Sequence, residues 1–247
     1  MIKKKWFSRG DIERNIILPN KKTSELAEFM GILTGDGYMN HYRKYDYNID
    51  ITGNKLFDSD FIEKYVFNLA KKLFNVNGCI IRRNDQNTVY IRIRSRAILF
   101  YLKEIGFKTG YKGRIGIPGW IKKDNAFLIS FIRGLFDTDG TLCLKNRKIK
   151  IYPVVSISSK SDLLMKEVQN FAKKNGISSY LAKDVQNDKR FKKQVIVYRL
   201  QINGYKNSNN WLKLIGSNNE RIKNRFKIAN AKGSPGFGPG TLRASVA

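Results

Sequence analysis

The chain has 247 residues, 42% of them hydrophobic, so it can bury a sizeable core in one large domain or two small ones. Lysine and arginine number 47 against 20 aspartate and glutamate residues, and the net charge of +27 favours a nucleic-acid partner, although a ribosome-associated or membrane-surface protein would also be basic. No run approaches the roughly 20 apolar residues of a membrane span, and two cysteines with one histidine exclude a disulfide framework and a Cys/His zinc site.

The first part of the chain begins with an apolar run that carries a Ser24 cap signal and stops at Gly37, which predicts a helix. Alternating polar and apolar residues predict strands further on, and spaced apolar residues predict amphipathic helices. In chain order the predicted elements are a helix over 24–37, strands over 38–43 and 45–52, a helix over 58–74, strands over 78–83 and 88–94, and a helix over 95–105.

The second part repeats this order. Its predicted elements are a helix over 125–140, strands over 141–145 and 148–158, a helix over 161–175, strands over 177–183 and 194–203 with a long polar loop between them, and a helix over 205–215. The two helices end in Asp36-Gly37 and Asp139-Gly140, which lie 103 positions apart (139 minus 36). Such a long period indicates a duplicated domain rather than a solenoid.

The predicted fold class is therefore α+β, with two αββαββα halves. The first half covers residues 1–106 and the second 123–230. Residues 107–122 are rich in glycine and predict a linker. Residues 231–247 are rich in glycine and proline and predict a flexible tail.

Two nine-residue segments identify a family. Phe29 to Gly37 (FMGILTGDG) and Ile132 to Gly140 (IRGLFDTDG) resemble the LAGLIDADG motif of homing endonucleases, the second more closely. Two copies with matching flanks resemble the single-chain branch of that family, over roughly residues 22–230. The resemblance implies two halves related by a pseudo-twofold axis, with saddle-shaped antiparallel sheets that form a DNA-binding groove.

Small residues recur at a spacing of four in both motifs, as Gly31 with Gly35 and Gly134 with Thr138. Residues at this spacing share one helix face, so the two backbones can approach closely. The helix ends would then bring Asp36 and Asp139 together, and divalent metal would relieve the repulsion of the two carboxylates. The glycine after each aspartate would let the chain turn sharply into a strand.

An Asp-Gly pair can also be no more than a helix-ending turn. The matching flanks of both copies favour the catalytic interpretation. Asp137 is a further carboxylate of the second motif, but the first motif has Thr34 in its place. In the family the final acid binds metal, which implies Asp36 and Asp139, with the carbonyls of Gly35 and Thr138 as secondary ligands. The implied cofactor is Mg²⁺, as two or three divalent ions, with Mn²⁺ or Ca²⁺ able to replace it in binding.

The resemblance also implies basic residues near the scissile phosphates, after the last helix of each half. Lys112 is the candidate from the first half. Lys223 is the candidate from the second half, with Arg221 close to it. Either lysine could instead be a solvated surface residue.

The polar faces of the alternating strands predict a DNA-reading surface, because a helix covers the apolar face of each sheet. In residues 88–94, for example, threonine, tyrosine and arginine alternate with valine and isoleucine. The candidates for DNA contact are Asn40, Tyr42, Asn48, Asp50, Arg82, Thr88, Tyr90, Arg92, Arg94, Thr141, Cys143, Lys145, Lys148, Lys150, Tyr152, Arg199 and Gln201.

These observations favour a site-specific, metal-dependent double-strand DNA endonuclease. By resemblance it acts as a monomer inside a prokaryotic cell or organelle, on a long target that is not a palindrome, and it leaves short 3′ overhangs. The alternative is a binding protein of the same fold, either an RNA maturase that binds intron RNA or a DNA-binding protein that has lost cleavage. Two retained carboxylates argue against lost cleavage, because binding alone gains nothing from paired anions beside a phosphate.

Overall fold

The computed structural model describes residues 4–40, 46–110, 112–147, 150–188 and 193–231. Tyr42 and Lys148, two of the candidates for DNA contact, lie outside these residues. So do residues 232–247 of the predicted tail.

Within the described residues, the first half contains the three helices of the αββαββα pattern and one four-stranded sheet. An N-terminal helix not predicted from the sequence precedes them, with a capping box between Ser8 and Asp11. The elements are α1 (Arg9–Glu13), α2 (Ser24–Asp36), β1 (Gly37–Asn40), β2 (Asn48–Asn54), a π-helical turn (Phe61–Val66) that continues into α3 (Phe67–Phe74), β3 (Cys79–Arg83), β4 (Thr88–Arg94) and α4 (Arg96–Glu104).

The second half repeats this arrangement after a short connecting helix. Its elements are α5 (Gly119–Lys122), α6 (Asn125–Asp139), β5 (Gly140–Arg147), β6 (Lys150–Ser159), α7 (Asp162–Lys174), β7 (Tyr180–Asp188), β8 (Lys193–Asn203), α8 (Tyr205–Leu214) and α9 (Glu220–Ala231). β7 and β8 are longer than predicted, and much of the predicted polar loop between them is strand. α9 was not predicted.

The two sheets have equivalent topologies. Their strand orders are β1-β2-β4-β3 and β5-β6-β8-β7, with antiparallel pairing throughout. Apolar residues of alternate positions are buried under the helices, as Val89, Ile91 and Ile93 of β4 show. The predicted α+β architecture of two αββαββα halves is confirmed.

The motif helices α2 and α6 occupy the centre of the molecule. Thr23 rather than the predicted Ser24 caps the N-terminus of α2, because the Thr23 side chain accepts a hydrogen bond from the Leu26 amide at 3.2 Å. Asp124 caps α6, and its carboxylate accepts hydrogen bonds from the amides of Ala126 and Phe127. Phe29, Phe131 and Phe136 are fully buried, so both helices contribute large side chains to the hydrophobic core.

The glycines that follow the two helices were predicted to provide a sharp turn, and this reason is wrong. Gly37 and Gly140 have negative φ and extended backbone, which any residue can adopt. A Cβ atom on Gly37 would lie 2.5 Å from the Leu33 backbone oxygen, and one on Gly140 would lie 2.1 Å from that of Phe136. Glycine is required at both positions because there is no space for a side chain.

None of the described helices is long and apolar enough to span a membrane.

Candidate catalytic centre and nucleic-acid interface

The small residues of the two motifs form the contact between α2 and α6. A Cβ atom on Gly31 would lie 2.0 Å from the Phe131 carbonyl oxygen, and one on Gly134 would lie 2.3 Å from that of Glu28. Real Cβ atoms do not approach a backbone oxygen this closely, so only glycine permits the observed separation. The helices therefore meet backbone to backbone, as their sequence spacing predicts.

This contact brings the C-terminal ends of the two helices together. A Cβ atom on Gly35 would lie 3.4 Å from Cγ of Asp139 and 2.0 Å from Oγ1 of Thr138. Burial raises the pKa of both Asp36 and Asp139 above the usual carboxyl range. The charge of Asp36 raises the pKa of Asp139 further, so the two side chains are electrostatically coupled.

Lys112 approaches the same place from a short 3₁₀ turn in the connecting segment, Lys112–Arg114. Its Nζ donates hydrogen bonds to three carbonyl oxygens at the end of α2, at 3.3 Å (Leu33), 3.0 Å (Thr34) and 2.7 Å (Gly35). Burial lowers the pKa of Lys112, while Asp139 and Asp36 oppose that shift. The ammonium group therefore faces both carboxylates, at the position expected for the first-half basic residue.

Lys223, the candidate of the second half, is not at this centre. Its Nζ binds Glu220 at 2.8 Å, and it lines an open groove on the outside of the molecule. Arg221 takes its place: its Nε donates to Asp58 at 3.0 Å, and its positive charge lowers the pKa of Asp36. The structure thus brings Arg221 and Asp58, rather than the predicted Lys223, close to Asp36.

The second half has a counterpart of Lys112 at the equivalent distance from the start of the preceding helix. Arg96 and Tyr205 begin α4 and α8, 109 positions apart (205 minus 96). Arg221 lies 109 positions after Lys112 (221 minus 112). The two halves therefore place one basic residue each beside the motif helices.

Asp137 lies in a closed environment, in which hydrogen-bond donors surround its carboxylate. It is buried, its Oδ1 accepts from the Ser217 hydroxyl at 2.5 Å, and its Oδ2 accepts from the Asn218 amide at 2.9 Å. Burial raises its pKa to about 7 in spite of these hydrogen bonds, which lower the pKa. Asp137 thus fastens the segment that carries Arg221 to the end of α6.

A buried polar network joins this segment to the first half. Glu28 of α2 accepts hydrogen bonds from the Tyr65 hydroxyl and from Asn218, both at 2.6 Å, and from Arg133 at 3.3 Å. Asn219 donates to Asp58 at 2.9 Å. No sequence pattern pointed to Glu28, Tyr65 or Asn218, because their partners lie far away in the chain.

The donor set at the centre suits a hard divalent cation. The groups near the two helix ends are the carboxylates of Asp36 and Asp139 and backbone carbonyls such as that of Gly35, and all of them offer oxygen. Within the described part of the chain no cluster of three or more His, Cys, Asp or Glu side chains could hold a metal. The protein would thus supply two carboxylates, and carbonyls, water and phosphate would complete the coordination.

Among the described side chains, the first sheet places its candidate DNA contacts on one face, with one exception. Asp50 pairs with Arg92 and Asn48 with Arg94, and Thr88 and Tyr90 share that face, whereas the side chain of Asn40 lies outside the described ones. Asp50 and Arg92 form a two-point ion pair at 2.8 and 2.6 Å. On this polar face, Arg92 is therefore already paired with a carboxylate of the same sheet.

Arg82 is the exception. It pairs with Val89, which places it on the helix-covered side of the sheet, and its guanidinium binds Glu63. The prediction that Arg82 lies on the DNA-reading face is wrong. The residues of β3 on that face are Cys79, Ile81 and Arg83. Tyr38, which was not among the candidates, is 46% exposed beside Asp50 on the polar face.

The second sheet has an equivalent face. Strand register places Thr141, Cys143, Lys145, Tyr152, Arg199 and Gln201 on one side. Arg199 pairs with Asp184 at 2.8 Å, as Arg92 does with Asp50 in the first half. Helix α9 adds Arg225, which donates to the Thr141 hydroxyl at 2.8 Å. The candidates of this half whose side chains are described lie on the predicted face, and Lys148 and the side chain of Lys150 lie outside the described part.

Comparison with known proteins supports this architecture. Residues 126–216 match the family model of a LAGLIDADG-like domain. An uncharacterized protein of Methanocaldococcus jannaschii is 27% identical over 176 residues, which cover 68% of this chain and 63% of that protein. The chain thus spans less than two thirds of the length of this relative.

Several solved structures share the fold. The homing endonuclease I-DmoI in complex with DNA and calcium gives a TM-score of 0.55 at 18% identity, covering 82% of this chain and 97% of that chain. Its complex with DNA and manganese gives 0.53 at 19% identity, covering 78% and 96%. The LAGLIDADG meganuclease I-AabMI bound to uncleaved DNA gives 0.52 at 11% identity, covering 82% and 90%. This chain therefore has the fold of these LAGLIDADG proteins, with a match to the LAGLIDADG-like domain over residues 126–216.

Proposed function

We propose that this protein is a site-specific, divalent-metal-dependent DNA endonuclease that cuts both strands of one long duplex as a monomer. One observation carries the proposal: α2 and α6 bring two buried carboxylates, Asp36 and Asp139, together beside a buried lysine. A protein that only bound nucleic acid would gain nothing from two anions at this position, because they repel phosphate. The calcium and manganese complexes of I-DmoI with DNA agree with such a centre.

The residues of this chain have distinct tasks in the proposed reaction. Asp36 and Asp139, with the Gly35 and Thr138 carbonyls, would hold divalent ions, and Mg²⁺ is the ion that we expect there. Lewis-acid stabilisation of the charge that develops on the phosphate is the chemistry that such ions supply when bound. Lys112 and Arg221 place positive charge on either side of the carboxylates, where it would neutralise a phosphate drawn into the site. The polar faces of the two sheets position the duplex and read its bases.

We also propose that the reading frame lies in an intron whose mobility the enzyme serves, so the direct test is incubation with Mg²⁺ and the intron-less allele of the host gene. We expect a double-strand cut, its loss when a chelator removes the metal, and its recovery when Mg²⁺ is added back. Duplex binding should persist in Ca²⁺. Activity that survives complete metal removal would contradict the metal-dependent centre. Binding of the host intron RNA without any cut would favour an RNA maturase instead.

Lys112 and Lys223 provide a matched pair for the next test. Lys112→Gln should slow cleavage by about 10²–10³-fold, the usual cost of removing one preorganised group that stabilises developing charge. Lys223→Gln should leave the rate nearly unchanged, because Lys223 binds Glu220 away from the centre. Single-turnover cleavage at saturating enzyme separates this effect from weaker binding. Equal losses in both variants would contradict the assignment of Lys112.

A further inference from the structure

A polar cavity of about 220 Å³ lies at the end of the first sheet that is farther from Asp36. It is formed where β4 leads into α4, and α1 packs beside this junction through Asp11, which accepts a hydrogen bond from the Ala97 amide at 3.2 Å. We call it the α1–α4 arginine pocket. The residues that line it are Ser8, Arg14, Asp46, Tyr47, Asn48, Arg94, Ser95 and Arg96.

Three guanidinium groups reach this pocket. Arg96 lies over the rings of Tyr47 and Phe100, at 5.8 and 5.6 Å, and among the described residues its buried Nε has no hydrogen-bond partner. Arg14 donates to the Gly10 carbonyl at 2.8 Å and keeps 47% of its side chain exposed. Arg94 is exposed on the polar face of β4. The exposed guanidinium surface of Arg14 and Arg94 is therefore open to an anion that enters the pocket.

The carboxylates around the pocket are already engaged. Asp11 is buried and accepts from the Ser8 hydroxyl and amide as well as from the Ala97 amide, and Arg14 also binds it. Asp46 accepts a hydrogen bond from the Asn48 side chain. Three arginines and two carboxylates thus lie at or beside the pocket, and among these described residues only Arg14 and Asp11 pair with each other, so the pocket keeps an excess of positive charge. Planar guanidinium groups are well suited to phosphate oxygens.

We propose that the α1–α4 arginine pocket binds one backbone phosphate of the DNA that leaves the outer end of the first sheet. This inference rests on the proposed DNA-binding function and extends it to an anchoring site that reads no base. Arg94 supports the source of the phosphate, because it belongs both to the DNA-reading face and to the pocket. A strand that follows the polar face outward therefore reaches the pocket next.

The test compares two double variants of the full chain. Each variant removes two positive charges, one from α1 or its end and one from α4. Arg14→Gln with Arg96→Gln removes two of the three guanidinium groups from the pocket. Arg9→Gln with Lys103→Gln is the control, because both side chains are exposed on α1 and α4 and do not line the pocket. Binding to a long duplex is measured over a range of salt concentrations. The pocket variant should lower the slope of log K against log [salt] by roughly 0.9 for the lost phosphate contact, more than the control does.

The outcomes separate this proposal from the proposed function. If wild-type protein does not bind duplex DNA, the proposed function fails. If it binds and both variants keep the same slope, only the pocket proposal is overturned. A titration of the Arg14 and Arg94 side-chain resonances with inorganic phosphate adds a second readout, and a shift there with unchanged slopes would assign the pocket to free phosphate and overturn the DNA assignment. If Arg96 proves necessary for folding, Arg14→Gln alone should lower the slope in the same direction.

Discussion

Replacement of Asp36 or of Asp139 by asparagine should abolish double-strand cleavage and leave duplex binding intact or slightly tighter. Asparagine keeps the size of the side chain but removes the charge that holds a divalent cation. Loss of a direct ligand should cost at least ~1,000-fold in rate, since loss of an outer partner of a metal site already costs roughly 10–100-fold. Binding should not suffer, because each change removes negative charge from a surface that must accept phosphates.

The measurement is the single-turnover rate of cleavage in Mg²⁺, together with duplex affinity in Ca²⁺. Asp60→Asn is the matched control, because Asp60 is 67% exposed in a surface ion pair with Lys64 and lies outside the centre. Such exposed pairs contribute little to stability, so this variant should cut at the normal rate. Wild-type cutting by either Asp36→Asn or Asp139→Asn would refute the centre with two carboxylates.

The architecture could be predicted because it depends on patterns within short segments. The motif helices carry glycines at a spacing of four, and β4 alternates strictly between polar and apolar residues. Both patterns specify a buried face without knowledge of the partner. Lys112 could be predicted only as a basic residue of the right segment, and its contacts with the end of α2 depend on how the connecting segment packs.

The two site residues whose predicted positions the structure corrects, Arg82 and Lys223, lie in segments that have no such pattern. β3 reads Cys-Ile-Ile-Arg-Arg, two apolar residues followed by two basic ones, so only its register with β4 decides that Arg82 faces the helices. The predicted position of Lys223 differs from the observed one for a related reason. Residues 220–231 form α9, and two residues advance a helix by about 200°, so Arg221 and Lys223 point in opposite directions. Apolar residues at positions 222, 226 and 229 were the signal for α9 that could have been recognised.

The helix contact itself should be the most sensitive part of the fold. Gly31→Ala and Gly134→Ala each add one methyl group, which would lie 2.0 Å from the Phe131 oxygen or 2.3 Å from the Glu28 oxygen. Backbone atoms cannot rotate aside as side chains can, so α2 and α6 must move apart. We expect each variant to lose about 3 kcal/mol or more, the upper end of the overpacking range, which outweighs the gain of about 1 kcal/mol from alanine in a helix.

For a chain of this size that loss corresponds to a fall in Tm of roughly 6–12 °C, which thermal unfolding followed by circular dichroism would detect. Gly119→Ala is the control, because no atom lies within 4 Å of the added Cβ at the start of α5. It should leave Tm unchanged or raise it slightly. Cleavage by any Gly31→Ala or Gly134→Ala protein that still folds should also slow, because the same contact sets the separation of Asp36 and Asp139. An unchanged Tm in either variant would mean that the two helices do not meet through these glycines.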